Sequence, residues 1–225
     1  LSEAGRGMLA AAKSVAFEIE KHAENLSELE EPKYHNRLHF ADALTSMSVQ
    51  LSILVALKKE ANQDWMACAL LTCIAHDFFH PGKVNLVESE IERQSVNFLK
   101  PILKSHSVPD EWQKIIDTVI VRSDFAVVHQ NHAQVAGKAF EWNLEWLCVL
   151  LNEADVMASA SAKYGPELGQ SLAQEWRLID FPLHSSVASL EGRKNFLKQL
   201  IFSSPSSLVL GLGERISEEI LSINS

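Results

Sequence analysis

The stretch ACALLTCIAHDFFHPGKVN, Ala67 to Asn85, opens as an apolar helix and then abruptly stops being one. His76, Asp77 and His80 fall where the hydrophobic segment runs into its end, and Pro81-Gly82 closes it. An unpaired carboxylate or imidazolium is too costly to keep in apolar surroundings, so such groups are usually paired or bound to metal. The neighbouring sequence supplies matching residue types. His35 and His39, at i and i+4, are predicted to share a face at the start of one helix, and Asp155 lies in the apolar helical segment VLLNEADVMAS. Imidazole nitrogens with carboxylate oxygens suit Zn²⁺, Fe²⁺ or Mn²⁺, with Mg²⁺ where oxygens dominate. His39, His76, Asp77 and Asp155 therefore make a candidate ligand set in which three helices converge on one ion.

Outward from that stretch the patterning is helical throughout. Residues 7–23 place Leu9, Ala12, Ala16, Ile19 and Ala23 at i+3/i+4 spacing, an amphipathic first helix. After the charged loop ENLSELEEPK, Pro32 keeps helix from entering Tyr34, and a long helix is predicted over residues 34–60. Asp64 is a candidate cap for a helix starting at Trp65. Pro101 is expected to interrupt the amphipathic VESEIERQSVNFL, and Pro109 to start a helix DEWQKIIDTVIVRSDF. The run VIVRSDFAVV has β-branched character, but Ile115, Ile116, Val119 and Ile120 are at helical spacing and the segment is read as helix. Four further helix-like segments follow, from Asn143 to Ile223, with short polar joints.

Composition bounds the setting. With 225 residues and 47% hydrophobic content the chain can bury one large core, so a single domain spanning 1–225 is expected. Twenty Lys+Arg against 29 Asp+Glu give a net charge of -9 with no basic run, which argues against a nucleic-acid polymer as partner. No uninterrupted apolar run approaches the ~20 residues of a membrane helix and no leader pattern appears, so the expectation is a cytoplasmic protein without a membrane partner. Homo-oligomerisation stays open. Cys68, Cys73 and Cys148 lie in apolar stretches without a CxxC pair, and are read as small core residues. The first residue is Leu1 rather than methionine, which raises the expectation of an upstream regulatory segment.

His39, His76-Asp77 and Asp155 resemble the H…HD…D signature of the HD-domain metal-dependent phosphohydrolases. Within that superfamily the chain looks most like the catalytic domain of class I cyclic nucleotide phosphodiesterases. YHNRLHFAD (Tyr34 to Asp42) is similar to YHNxxHAxD, and HDFFHPGKVN (His76 to Asn85) to HDxxHPGxxN. SEIER, IIDTVIVRSDFAVVH and EAD resemble that family's SxLEN, ATDxxxH and CAD blocks. These blocks run in order from Tyr34 to about Val156, roughly half the chain.

The resemblance implies an all-α HD bundle with a metal site at its centre, built on about 34–156, and C-terminal helices over 165–223 completing the pocket. It implies hydrolysis of a phosphodiester, a cyclic nucleotide or related nucleotide, by a metal-bridging hydroxide. Two divalent ions are implied: Zn, Fe or Mn on His39, His76, Asp77 and Asp155, and Mg or Mn at a second site shared through Asp77. His35 would be the general acid, His80 would support it from behind, and Glu92 would hold the hydrogen-bond network of His80. Ser123 and Asp124 would face waters of the second ion, while Tyr34, Asn36 and Asn85 would line or support the site.

Departures from the family are visible too. The chain is shorter after Asp155, and the purine-gripping glutamine of a QVGFI-like stretch aligns with Arg193 in RKNFL. An arginine there favours an anionic group over a purine edge. The HDxxE form of HD nucleotidases is absent, because His80 occupies that position. Cyclic-di-GMP hydrolases use further histidines between HD and the last Asp, for which His106 with His129 or His132 are the candidates; His22 and His184 read as ordinary surface or loop residues. The alternatives are a nucleotidase or phosphomonoesterase, and a metal-containing nucleotide sensor without turnover.

Overall fold

The apolar stretch ending in His76-Asp77 forms helix α3, Gln63–Ala75, in a computed structural model that describes residues 1–27, 30–57 and 61–223. Asn62 caps it by accepting the Trp65 N–H. Asp64, expected as the cap, instead accepts the backbone N–H of Ser2. Helix α7, Leu144–Ala160, is capped by Asn143. Residues 67–69 and 71–75 of α3 and 146–154 of α7 are all buried, and a helix apolar on every side belongs at the centre of a core.

Around these two lie α1 (Glu3–Glu24), α2 (Arg37–Ala56), α4 (Glu90–Ser105), α5 (Asp110–Val121) and α6 (Val128–Val135). Helix α1 packs on α3 and α4, α2 on α3 and α7, and α5 on α4, α3 and α7. By length and composition α2 could cross a membrane, but its buried side carries His39, Met47, Leu51 and Leu54 into the same core as α3 and α7. Large side chains such as Leu71, Leu147, Leu150 and Leu151 are sealed there, each contributing about 1.5–3 kcal/mol of transfer free energy. The three cysteines are buried and free; burial pushes the Cys73 thiol up to about 12.

The C-terminal part adds α8 (Gly165–Leu178), the single turn α9 (His184–Val187), α10 (Leu190–Gln199), α11 (Pro205–Val209) and α12 (Leu212–Ile223). A smaller apolar cluster of Ala160, Leu197 and Ile216, flanked by Phe196, Leu200 and Phe202, joins α10 and α12 to the end of α7. Among the described residues the chain is all-α, with one 3-10 turn at Phe125–Val127 and no strand.

Several expected boundaries differ. Helix α2 starts only at Arg37 because Asn36 takes the cap position, and residues 58–60 at its expected far end lie outside the described residues. Pro101 does not interrupt α4, which runs through it. Proline lacks the N–H that would bond the Asn97 carbonyl, and both residues are exposed, where water can serve that oxygen. The segment VIVRSDFAVV is helical only to Val121; its turn at Arg122–Asp124 leads into the 3-10 turn and α6. Residues 206–223 form two helices broken at Gly211, whose φ of +62° suits glycine.

Candidate metal centre

The structure brings His39 of α2, His76 and Asp77 at the end of α3, and Asp155 of α7 to one point. One ligand atom from each lies within 4.8 Å of all the others. The Nε2 atoms of His39 and His76 stand 3.2 and 3.3 Å from Asp155 Oδ1, and 3.3 and 3.2 Å from Asp77 Oδ2. At metal–ligand bonds near 2.1 Å, neighbouring ligands in tetrahedral or octahedral geometry stand roughly 3.0–3.5 Å apart. The spacing fits an ion.

Hydrogen bonding points the same way. Both Nε2 atoms are buried and make no aligned hydrogen bond. His76 donates its Nδ1–H to the Cys73 carbonyl at 2.8 Å, which turns its Nε2 toward the cluster, the usual arrangement of a ligating histidine. Burial works against charge on His39, yet the carboxylates of Asp155 and Asp77 outweigh it and raise the imidazole to about 9. They raise His76 too. Asp77 and Asp155 resist burial in turn and are held well below the usual carboxylate range by the two histidines. Two imidazoles kept protonated by two facing carboxylates could exchange those protons for a divalent cation. Asp155 is 26% exposed, so the cluster is open on one side.

His35 sits beside this cluster, but not for the reason its spacing suggested. It precedes α2, so no shared helical face places it. Its position comes from Glu175 of α8, a residue the motif comparison did not mark. Glu175 Oε1 accepts the His35 Nδ1–H at 2.5 Å, and Oε2 accepts the backbone N–H of Tyr34 and of His35. Burial pushes the Glu175 carboxyl up, but these bonds and the charge of His35 keep it below its ordinary value. The other His35 nitrogen, Nε2, is 4.0 Å from Asp77 Oδ2. A sign of Glu175 was present in the sequence. Leu168, Leu172, Glu175 and Ile179 share one helical face, on which a carboxylate is out of place.

His80 stacks on His35 with ring centroids 3.7 Å apart. Its Nδ1 accepts the Gly82 N–H, and burial followed by the His35 charge lowers it to about 3. A neutral His80 therefore backs the His35 ring. Phe79 between Asp77 and His80 has φ of +59°, a left-handed conformation unusual for a bulky residue. Tyr34 lies against His35 and His39 and bonds Ser159 through its hydroxyl at 2.8 Å.

Other expected site residues are committed elsewhere. Asn36 accepts the Leu38 N–H and donates to the Pro32 and Lys33 carbonyls, a cap rather than a substrate contact. Asn85 accepts the Ile91 N–H and donates to Glu92 at 2.9 Å, so Glu92 supports Asn85 and not His80. Burial raises the Glu92 carboxyl to about 7. Ser123 donates to the Ile120 carbonyl, and Asp124 accepts the backbone N–H of Ser89 and of Ala126. That carboxylate clips the start of α4 to the turn after α5, leaving both residues buried rather than turned to a second ion.

Arg193 is the clearest correction. Its guanidinium pairs with Glu219 at 2.9 and 3.1 Å and donates to the carbonyls of Ser159, Ala160 and Ser161. The first two are carbonyls that the end of α7 leaves without a helical partner. Four of its five N–H groups are spent on these partners, and the side chain is buried. The additional histidines also stay apart from the cluster: His106 bonds Ser14, His132 bonds Ser203, and His129 is exposed. No family model matches the chain, and a search of curated proteins finds no match.

Proposed function

We propose that the protein is a metal-dependent phosphohydrolase acting on a small phosphodiester of nucleotide type. The observation that carries this reading is the convergence of two imidazole Nε2 atoms and two carboxylates at ligand spacing, with a Glu-oriented histidine at their edge. His39, His76, Asp77 and Asp155 would hold the ion, and Asp77, nearest His35, would turn its second oxygen toward another. A divalent cation there supplies positive charge against phosphoryl oxygens and lowers the pKa of water.

The remaining chemistry belongs to the chain's own residues. Glu175 fixes the Nδ1–H tautomer and orientation of His35, so that Nε2 faces the cluster. From there the imidazolium donates its proton to the departing alkoxide, which cannot leave well without one. Neutral His80 keeps the ring from turning, and Tyr34 closes the wall behind it. With Arg193 bound to the end of α7, nothing in this reading singles out a purine, so the substrate class is set by the diester rather than by a base.

The test is turnover of bis-p-nitrophenyl phosphate by purified protein supplied with Mn²⁺, alongside p-nitrophenyl phosphate. Diester turnover that disappears in His76→Ala supports the proposal. Preference for the monoester makes the protein a phosphomonoesterase, and silence across metals with metal still retained makes it a sensor; either outcome overturns the reading.

A further inference from the structure

Helices α4 and α5 run side by side, and between them lies a groove of about 440 Å³ lined by Arg93, Asn97, Lys100, Asp117, Thr118 and Arg122, with Val96 and Val121 at its floor. The chain carries a net charge of -9, yet three cations meet here around a single lining carboxylate. Arg93 and Lys100 are seven residues apart, two turns along one face of α4, and Arg122 ends α5.

These cations are underused. Arg37 and Arg193 are matched with carboxylates, but the Arg93 side chain has no hydrogen bond or ion pair among the described residues, and it is exposed. Lys100 donates to Asn97 Oδ1 at 3.3 Å and is the cation felt by Asp117. Arg122 spends Nε on Asn131 and Nη2 on Gln134, which fixes its plane and leaves Nη1 over. Across from them Asp117 has a buried Oδ1 with no donor. Buried polar atoms are nearly always satisfied, so each exception asks what completes it. The groove lacks an anion for the guanidinium groups, and Asp117, only partly buried, offers it an oxygen other than the sealed Oδ1.

We propose that this groove binds a small phosphorylated molecule, its phosphate held by Arg93, Lys100 and Arg122 and a hydroxyl or amino group donating to Asp117. Arginine presents forked donors that match phosphate oxygens, and the volume lies within the range of small-molecule sites. The site is distinct from the His/Asp cluster and does not depend on what that cluster does. It is nevertheless joined to the same scaffold, because the Arg122 carbonyl accepts from Asn152 of α7, one turn before Asp155.

Binding of inorganic pyrophosphate and of ribose 5-phosphate to the purified full chain, measured by calorimetry, tests this. Arg93→Glu with Lys100→Glu should weaken both ligands at least about tenfold, since charge-assisted bonds are lost. The exposed Arg93→Ala, Lys100→Ala pair replaces that variant should the charge reversal not fold. His76→Ala should leave both affinities within about twofold, separating the groove from the metal centre. Asp117→Ala should weaken ribose 5-phosphate and strengthen pyrophosphate, because it removes an acceptor and a negative charge together. The proposal is overturned if the parent binds neither ligand, if the α4 variants bind pyrophosphate as the parent does, or if His76→Ala alone abolishes binding. It also fails if Asp117→Ala treats the two ligands alike.

Discussion

Glu153 and Asp155 are two positions apart on α7, so their side chains leave the helix about 200° from each other. Glu153 is sealed, and donors surround it. Its Oε1 accepts the backbone N–H of Ser203 and Ser204 at 2.5 and 2.8 Å, and its Oε2 accepts the hydroxyls of Ser204 and Ser207, each at 2.5 Å. Burial pushes its carboxyl up while these donors pull it back. Among the described residues Asp155 Oδ1 faces the Nε2 atoms of His39 and His76, neither in an aligned hydrogen bond. A carboxylate filled by donors is a structural joint, here tying α11 to the core. One that faces two imidazole nitrogens without an aligned hydrogen bond could be completed by a cation.

Exchanging the insults should separate the two roles. Asp155→Asn should strip the metal and cost about 10³-fold in turnover, because several kcal/mol of charge stabilisation go with the ion. Compared in the metal-stripped state, the variant should lose less stability than Glu153→Leu, because Asp77 still faces both imidazoles. Glu153→Leu should do the reverse, losing about 3–5 kcal/mol of stability by leaving buried donors unpaired, while the folded fraction keeps its metal. Urea titrations with metal analysis read both. Equal destabilisation by the two variants would erase the distinction.

A smaller effect sharpens the functional side. Glu175→Gln should keep the metal and lose about 10²-fold on an alkyl diester, with a much smaller loss on a nitrophenyl diester. Nitrophenolate leaves without a proton, so only the alkyl substrate needs an oriented His35. Matching losses on both substrates would show that Glu175 holds the fold around Tyr34 rather than the proton on His35.

The smallest effect belongs to the structural side. Burial, and then His129, lowers His132 to about 4, beneath the ordinary value near 6.5. The native state therefore binds fewer protons there than the unfolded chain. Its contribution is complete above about pH 6.5 and is lost as the pH falls toward 4, on the order of 1–3 kcal/mol in all. In metal-stripped protein, His132→Gln should flatten the stability profile across that window; an unchanged slope would mean that other groups govern acid unfolding.

How much of this was legible depended on the kind of contact. His76 and Asp77 announced themselves because polar groups at the end of an apolar helix have few bland explanations, and Asp155 did so for the same reason. Motif likeness alone did worse. Arg193 matched a substrate-binding position by alignment and caps α7 instead, while Ser123, Asp124, Asn36 and Asn85 turned out to serve backbone groups. Such side chains carry the same chemistry whether they face substrate or a nearby N–H, so residue type cannot decide between them. Glu175 and the serines around Glu153 went unmarked because their partners lie 50 or more residues away.

By itself the sequence determined that the chain is all-α, since apolar periodicity repeats along it, and which residue types could ligate a metal. Tertiary structure alone decided that four of them meet at ligand spacing, that His35 is held from across the molecule, and that Arg193 is tied to Glu219 and the end of α7. Periodicity is a local property, set by the geometry of one helix. Whether two side chains touch depends on how helices far apart in the chain pack, and on which buried polar groups that packing leaves to be satisfied.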